Sequence, residues 1–343
     1  MIYPEFPEKG SVTGICAPSA GVGGKLESFD LSLEVLRGEG FEIYETDSVR
    51  SEGYPSASAA ERGSEFNQLF EDPDVSNVIC ASGGDFVLEM LPHIDQNAIL
   101  RNPKWFAGYS DPTGIEMLMT SKLDIATIYG FNAGAFDWRP LHEYQLNALS
   151  VLRGDIPVQH SYEYWAPEGF DEETGCYEMN TPVNWQLFVP AGSGPDRELT
   201  EASKLDVTGR LIGGCIDVID DIIGTPYEDL RGFAERYSRD GLIWFFDNFA
   251  LDPLALMYVM LKMKLMGLFD DASAVVFGRT FLPGEASDID YLSLLERVFA
   301  DTDVPVIWSA DIGHTKPSLT LINGAMGHLT FDNGRADLSM ELR

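Results

Sequence analysis

The chain has 343 residues, enough for two domains or one large one, and enough for a core that folds without a metal or disulfide framework. Lys and Arg total 23 against 55 Asp and Glu, a formal charge of −32. A field of that sign repels phosphate backbones and anionic lipid, which excludes nucleic acid and membrane surfaces as partners; 45% hydrophobic residues, with 11% aromatic, exclude a disordered chain.

The first five residues, Met1-Ile2-Tyr3-Pro4-Glu5, carry no basic segment and no apolar run, so no signal peptide is expected. Residues 12–17 read as a strand ending in Pro18-Ser19. Residues 29–37 have helical spacing and stop at Gly38 and Gly40. Strands follow at 41–44, 78–81 and 105–109, with helices at 57–70, 86–91 and 114–122. This alternation predicts an N-terminal α/β domain, a Rossmann-like parallel sheet with helices on both faces. Ligands of such sheets sit beyond the carboxyl ends of the strands. Residues 162–194 are rich in Trp, Tyr, Glu, Gly and Pro and show little periodicity, so they read as a long functional loop. A second unit starts at 205, with strands at 209–214, 242–246, 274–277 and 304–308, a helix at 254–266, and a hairpin-like pair at 319–322 and 328–331. The expected division is 1–160 for the α/β domain, 161–204 for a linker and active-site loop, and 205–343 for the C-terminal domain.

The most apolar window, 251–268, contains Asp252, Pro253, Lys262 and Lys264, too many interruptions for a bilayer span. The four cysteines, Cys16, Cys80, Cys176 and Cys215, form no CxxC pair. They read as small apolar residues in a reducing cytoplasm, with no zinc site and no disulfide scaffold.

Gly108-Tyr109-Ser110-Asp111-Pro112-Thr113-Gly114 is the most informative segment. A buried strand runs into Ser110, Asp111 suits a helix cap, and Pro112 suits the first helical position. Ser110 is therefore expected at a sharp strand-to-helix turn, beside helix N–H groups that can hold negative charge. Ser110 is either a nucleophile or simply part of a cap; Pro112 stands where a G-x-S-x-G elbow would have glycine. A serine nucleophile needs a base and an orienting acid. Among five histidines, His314 stands apart in a Gly-flanked loop after strand 304–308, either as that base or as a surface residue. Asp247 ends the apolar run 242–246, where a desolvated carboxylate needs a partner. It either pairs with His314 or caps the next segment; Asp217, Asp220 and Asp221 are rivals whose spacing suggests a helix face. Gly83 or Gly84, with the Asp111 N–H, could form an oxyanion hole. The competing phosphate-loop reading lacks G-x-x-x-x-G-K and G-x-G-x-x-G, and Asp85 opposes it.

In this order, Ala17-Pro18-Ser19, Gly83-Gly84, Gly108-Tyr109-Ser110-Asp111, the 209–214 run Gly-Arg-Leu-Ile-Gly-Gly, and Gly313-His314-Thr315 resemble the LD-carboxypeptidase (S66) family of serine peptidases. The resemblance implies an α/β domain plus a mostly-β, barrel-like C-terminal domain with helices, a site between them, and a homodimer. It implies a Ser-Glu-His triad, with Ser110 and His314 as nucleophile and base. Asp247 stands where the Glu is expected and is one methylene shorter. The length and aromatic loop look more like the microcin-immunity branch, which cleaves the amide joining a peptide or amino acid to a nucleotide-like group. There Trp185, with Trp165 second, would stack on the base or else pack the loop onto the domain. Cys215 replaces the Asn that this branch tends to carry, and a thiol is a poor substitute hydrogen-bonder. Arg210 and Lys316 are candidates for the substrate's anionic group, or for surface ion pairs. The expected function is a serine carboxypeptidase or amidase without metal or cofactor, acting through an acyl-enzyme on peptidyl- or aminoacyl-nucleotide substrates. The alternatives are an LD-carboxypeptidase acting on murein tetrapeptides, a catalytically impaired binding protein of the same fold, and a nucleotide-binding Rossmann protein.

Overall fold

The computed structural model describes residues 1–168, 177–193, 197–282 and 290–343. The chain divides into two compact units that interleave in sequence. The first comprises Met1–Pro157, Asp221–Asp229 and Thr320–Gly324; the second comprises Val158–Asp220, Leu230–Leu319 and Ala325–Arg343.

The first unit is built on β1 (Val12–Cys16), β2 (Glu42–Glu45), β3 (Val75–Cys80), β4 (Trp105–Gly108) and β5 (Thr127–Tyr129), joined by helices α1 (Leu26–Gly38), α2 (Ala59–Glu71), α3 (Val87–Met90), α4 (Gln96–Arg101), α5 (Thr113–Met117) and α6 (Glu143–Leu152). These five strands pair in parallel, in the order β5-β4-β3-β1-β2. β4 is buried along its whole length, and β3 nearly so, as expected of inner strands covered on both faces. α2 begins at a capping box, in which Ser58 and Glu61 each satisfy the other's backbone N–H. The helix read at 114–122 divides: α5 stops at Met117, and a π-helical turn, Leu118–Lys122, carries the chain onward.

The second unit contains β6 (Gln159–His160), β7 (Tyr164–Trp165), β8 (Thr181–Pro182), β9 (Gln186–Ala191), β10 (Glu198–Ala202), β11 (Lys204–Cys215), β12 (Leu242–Asp247), β13 (Ala272–Gly278) and β14 (Val306–Ala310), with α7 (Ile216–Ile222), α8 (Leu230–Tyr237), α9 (Pro253–Leu265) and α10 (Tyr291–Phe299). β15 (Leu321–Asn323), β16 (Met326–Asp332) and β17 (Arg335–Glu341) complete the chain. The large sheet has nine strands in the order β10-β9-β14-β13-β12-β11-β16-β17-β6. Its central strands, β11 to β14, are parallel; the flanking pairs are antiparallel.

Three expectations are corrected here. The second domain is rich in β-structure but is not a barrel: β10 and β6 are separate edges of an open sheet. The stretch 162–194 is not one long loop, because β9 pairs with both β14 and β10, and β7 pairs with β8; residues 169–176 and 194 lie outside the described residues. The pair at 319–322 and 328–331 is not a hairpin. β15 joins the first sheet beside β5, whereas β16 lies between β11 and β17 in the second. A composition pattern reveals a strand but not its partner, and here the chain crosses between units within a few residues. Among the described residues, no helix is long and apolar enough to cross a membrane.

Candidate active site

Ser110 follows directly on the turn out of β4 and has φ of 71°, one of four described non-glycine residues in the left-handed region. For a residue with a Cβ this conformation costs about 1–3 kcal/mol and persists only where the surroundings impose it. The Ser110 carbonyl accepts the Thr113 N–H at 3.0 Å, closing the turn into α5. The turn into the helix therefore fixes the serine, as expected for a nucleophile displayed at a strand end. Gly83 is alongside: a Cβ placed there would lie 3.1 Å from both Cβ and Oγ of Ser110.

Asp111 behaves differently from the reading as a cap for its own helix. Its Oδ2 accepts the backbone N–H groups of Phe86 at 2.8 Å and Val87 at 3.0 Å, so it caps α3, across the loop that carries Gly83 and Gly84. Burial pushes its carboxyl above the usual range, opposed by bonds from Ser19, Val87 and Phe86.

In the second unit, Asp247 ends β12 and is fully buried. Its Oδ2 lies 2.8 Å from His314 Nδ1, and its Oδ1 accepts the His314 backbone N–H at 3.3 Å. The shorter acid reaches the imidazole because the residue before His314 is glycine. Gly313 has φ of 96°, and a Cβ there would overlap the Asp247 carboxylate. Phe249 and Phe281 flank the ring, with centroids 4.6 and 5.7 Å away. An imidazole held through Nδ1 by a carboxylate directs Nε2 to proton transfer, the orientation a general base requires.

A buried cluster that the sequence did not single out holds the His314 loop. Asp311 is fully buried and bonds to Arg279, to the Trp185 indole N–H at 3.0 Å and to the Tyr162 N–H at 3.0 Å. Arg279 also donates to Ser309 O at 3.0 Å and to Thr315 Oγ1 at 3.3 Å, and its guanidinium lies 4.7 Å from the Trp165 ring centroid. Burial raises the Asp311 pKa, and Arg279 opposes the shift. One signal was available: Arg279 directly follows the end of an apolar strand, the same pattern that drew attention to Asp247.

The other candidates separate by position. Cys215 is the register partner of Asp247 on β11; burial first, then Asp247 and Asp217, keep its thiol pKa well above the usual value. Arg210 sits five residues earlier on the same strand, about 17 Å along it at strand rise. Its guanidinium is bound to Asp240 at 2.6 Å and to the Arg343 carbonyl at 3.0 Å, 4.2 Å from the Tyr237 ring centroid. The structure therefore does not bring Arg210 to Asp247. Trp185 is only 2% exposed, and its indole N–H is held by Asp311.

Lys316 is buried in the His314 loop, with Nζ 3.4 Å from Gly313 O. Burial lowers its pKa from 10.5 to about 8, with Asp247 opposing the shift. Between those two values the unfolded chain holds a proton that the folded chain has released. Stability from this residue therefore rises as pH climbs from about 8 to 10.5 and is lowest at neutral pH. Lys316→Met is expected to flatten that part of the stability profile, read by thermal unfolding of both proteins across pH 7 to 10.5. Among the described residues, no group of three or more His, Cys, Asp or Glu could hold a metal ion.

Ser110 thus stands in a left-handed turn at a strand end of the first unit, and in the second unit His314 lies against the Asp247 carboxylate, residue types that a serine hydrolase would use. The chain belongs to the LD-carboxypeptidase family, peptidase S66: the N-terminal domain model matches residues 13–130 and the C-terminal domain model matches 208–329. It is 27% identical to the microcin C7 self-immunity protein MccF of Escherichia coli, over 89% of this chain and 86% of that one. Its fold matches MccF in complex with aspartyl sulfamoyl adenosine at a TM-score of 0.80 and 24% identity, over 99% of each chain. It also matches a muramoyltetrapeptide carboxypeptidase from Oxalobacter formigenes at a TM-score of 0.69 and 22% identity, over 97% of this chain and 99% of that one.

Proposed function

We propose that the protein is a serine carboxypeptidase or amidase of the microcin-immunity type, hydrolysing the amide of a peptidyl- or aminoacyl-nucleotide. Ser110 attacks the amide carbonyl, and His314, oriented by Asp247, takes the hydroxyl proton and returns it to the leaving amine. Backbone N–H groups of Gly84 and Asp111 hold the oxyanion. Water then attacks the acyl-enzyme, with His314 again as base, and releases the acid. Lys316 supplies positive charge for the substrate's anionic group. Trp185 enters this scheme as an anchor of the His314 loop. The single observation that carries the chemistry is the strained left-handed backbone of Ser110, a conformation that a plain capping serine has no need to adopt. The substrate class rests on the likeness to MccF with its aminoacyl nucleotide analogue.

The murein reading, cleavage of a tetrapeptide ending in D-Ala, is favoured by the likeness to the muramoyltetrapeptide enzyme. Turnover of an aminoacyl-sulfamoyl adenosine beside such a tetrapeptide separates the two: preference for the nucleotide supports the first reading, and preference for the tetrapeptide replaces it. A catalytically impaired binding protein is disfavoured by the 2.8 Å separation of Asp247 Oδ2 from His314 Nδ1, a distance that supports orientation of the ring by the shorter acid.

We also propose a cytoplasmic homodimer. Leu254, Met257, Tyr258, Leu261 and Leu265 recur along α9 at helical spacing, and Tyr258 and Leu265 are 70% and 88% exposed. Such a stripe fits a second copy of the chain. The three described cysteines are buried and form no disulfide with one another, as suits a reducing compartment.

A further inference from the structure

The loop at 83–86 offers the proposed oxyanion donor, yet it belongs to neither β3 nor α3. Its polar groups are tied to other segments. Gly83 O accepts the Ala20 N–H at 3.1 Å. The Phe86 N–H is shared between Ser19 Oγ at 2.9 Å and Asp111 Oδ2 at 2.8 Å, and Asp111 also takes the Val87 N–H. Gly84, with φ of 142°, is pressed against Ser19, where a Cβ would overlap the hydroxyl.

Behind these ties stands Arg62, on α2, only 1% exposed. Its Nη1 donates to Phe86 O at 2.9 Å and to Pro18 O; its Nε donates to Ala57 O at 3.0 Å; its Nη2 pairs with Glu89. One planar guanidinium thus joins the segment after β1, the segment after β3 and the approach to α2. Stability alone is a poor reason for this arrangement. A buried charge is costly to desolvate, and an apolar residue of similar volume is often as good or better for stability. What the guanidinium provides is rigid, directional placement of several carbonyls at once, which an apolar residue cannot supply.

We propose that Arg62 is a positioning residue for the hydrolysis: with Ser19 and the Asp111 carboxylate it holds the Gly83–Gly84 loop at a fixed distance from Ser110. Oxyanion donors act only when they lie about 2.7–3.1 Å from the developing charge, and a displacement of about 1 Å costs on the order of 10²-fold in rate. A brace that sets this distance changes kcat more than KM, because the misplaced donor is needed chiefly in the transition state. The inference rests on the serine-hydrolase reading above, but its structural half can be tested apart from it.

The experiment compares full-length wild type, Arg62→Met and Arg62→Lys by amide hydrogen exchange and by steady-state hydrolysis of the better of the two substrates named above. In Arg62→Met, amides 83–87 are expected to exchange at least ~10-fold faster while β4 and β5 exchange as in wild type. kcat is expected to fall roughly 10- to 100-fold with KM within about twofold. Arg62→Lys keeps the charge without the fork and is expected to fall between the two. If Arg62→Met does not fold, Ser19→Ala removes one strap of the same loop and carries the same expectation. Unchanged exchange at 83–87, or an equal loss in kcat and rise in KM, overturns the proposal. A wild type that turns over neither substrate overturns the hydrolase reading, and with it the catalytic role of Arg62; the exchange result then still decides whether Arg62 braces the loop.

Discussion

Ser110→Ala is expected to leave the protein folded and lower kcat by roughly 10⁴- to 10⁶-fold, the scale on which a nucleophile acting with a base is lost. The side chain is small and only partly buried, so its removal opens no large cavity. A second variant makes the prediction sharper. Ser110→Gly removes the Cβ from a residue at φ of 71°, which should stabilise the fold by about 1 kcal/mol while abolishing activity just as completely. A protein that becomes more stable as it becomes inactive is the signature of strain kept for function. Thermal unfolding beside a turnover assay checks both halves; a loss of stability in Ser110→Gly would mean that the left-handed turn is not under strain.

The second large effect concerns the buried pair behind His314. Arg279→Met is expected to cost about 3–5 kcal/mol, because it leaves the Asp311 carboxylate in the core without its cation. Asp311 also anchors the Trp185 and Tyr162 N–H groups and accepts the Leu319 N–H on its own carbonyl, so the damage should spread through the loop holding His314. Removing both charges in a double variant, Arg279→Met with Asp311→Leu, should recover part of the loss. Denaturant unfolding of the two singles and the double measures it; simple additivity would contradict the coupling.

Much of the fold was legible because local pattern and burial agree. β4, β12 and β13 are apolar runs that end in Gly or Asp, and the apolar end of β3 leads into Ser82-Gly83; all four are inner strands of the two sheets. β9 was not legible. Gln186 to Ala191 includes a proline and is mostly only half-buried, so it lacks the signature of an inner strand and still pairs on both sides. β15 is legible as a strand but not by its neighbour, since a strand of three residues does not reveal which sheet it joins. At the site, Ser110, Asp247 and His314 stood out because each is a polar residue at the end of an apolar strand or in a glycine-flanked loop. The reach of Asp247 to His314 was not legible, because it depends on the missing side chain of Gly313 and on backbone placement that composition does not encode. The bracing by Arg62, Asp111 and Arg279 was hidden for a related reason: each acts on backbone groups or partners far away in the sequence.

Reaction of wild type and His314→Ala with an activated fluorophosphonate, followed by mass mapping of the modified peptide, tests the central assignment most directly. The expected result is one adduct per chain on Ser110 in wild type, formed at least ~10²-fold more slowly when the imidazole is removed. An adduct on another residue, or labelling of Ser110 that proceeds equally fast without His314, would contradict the account.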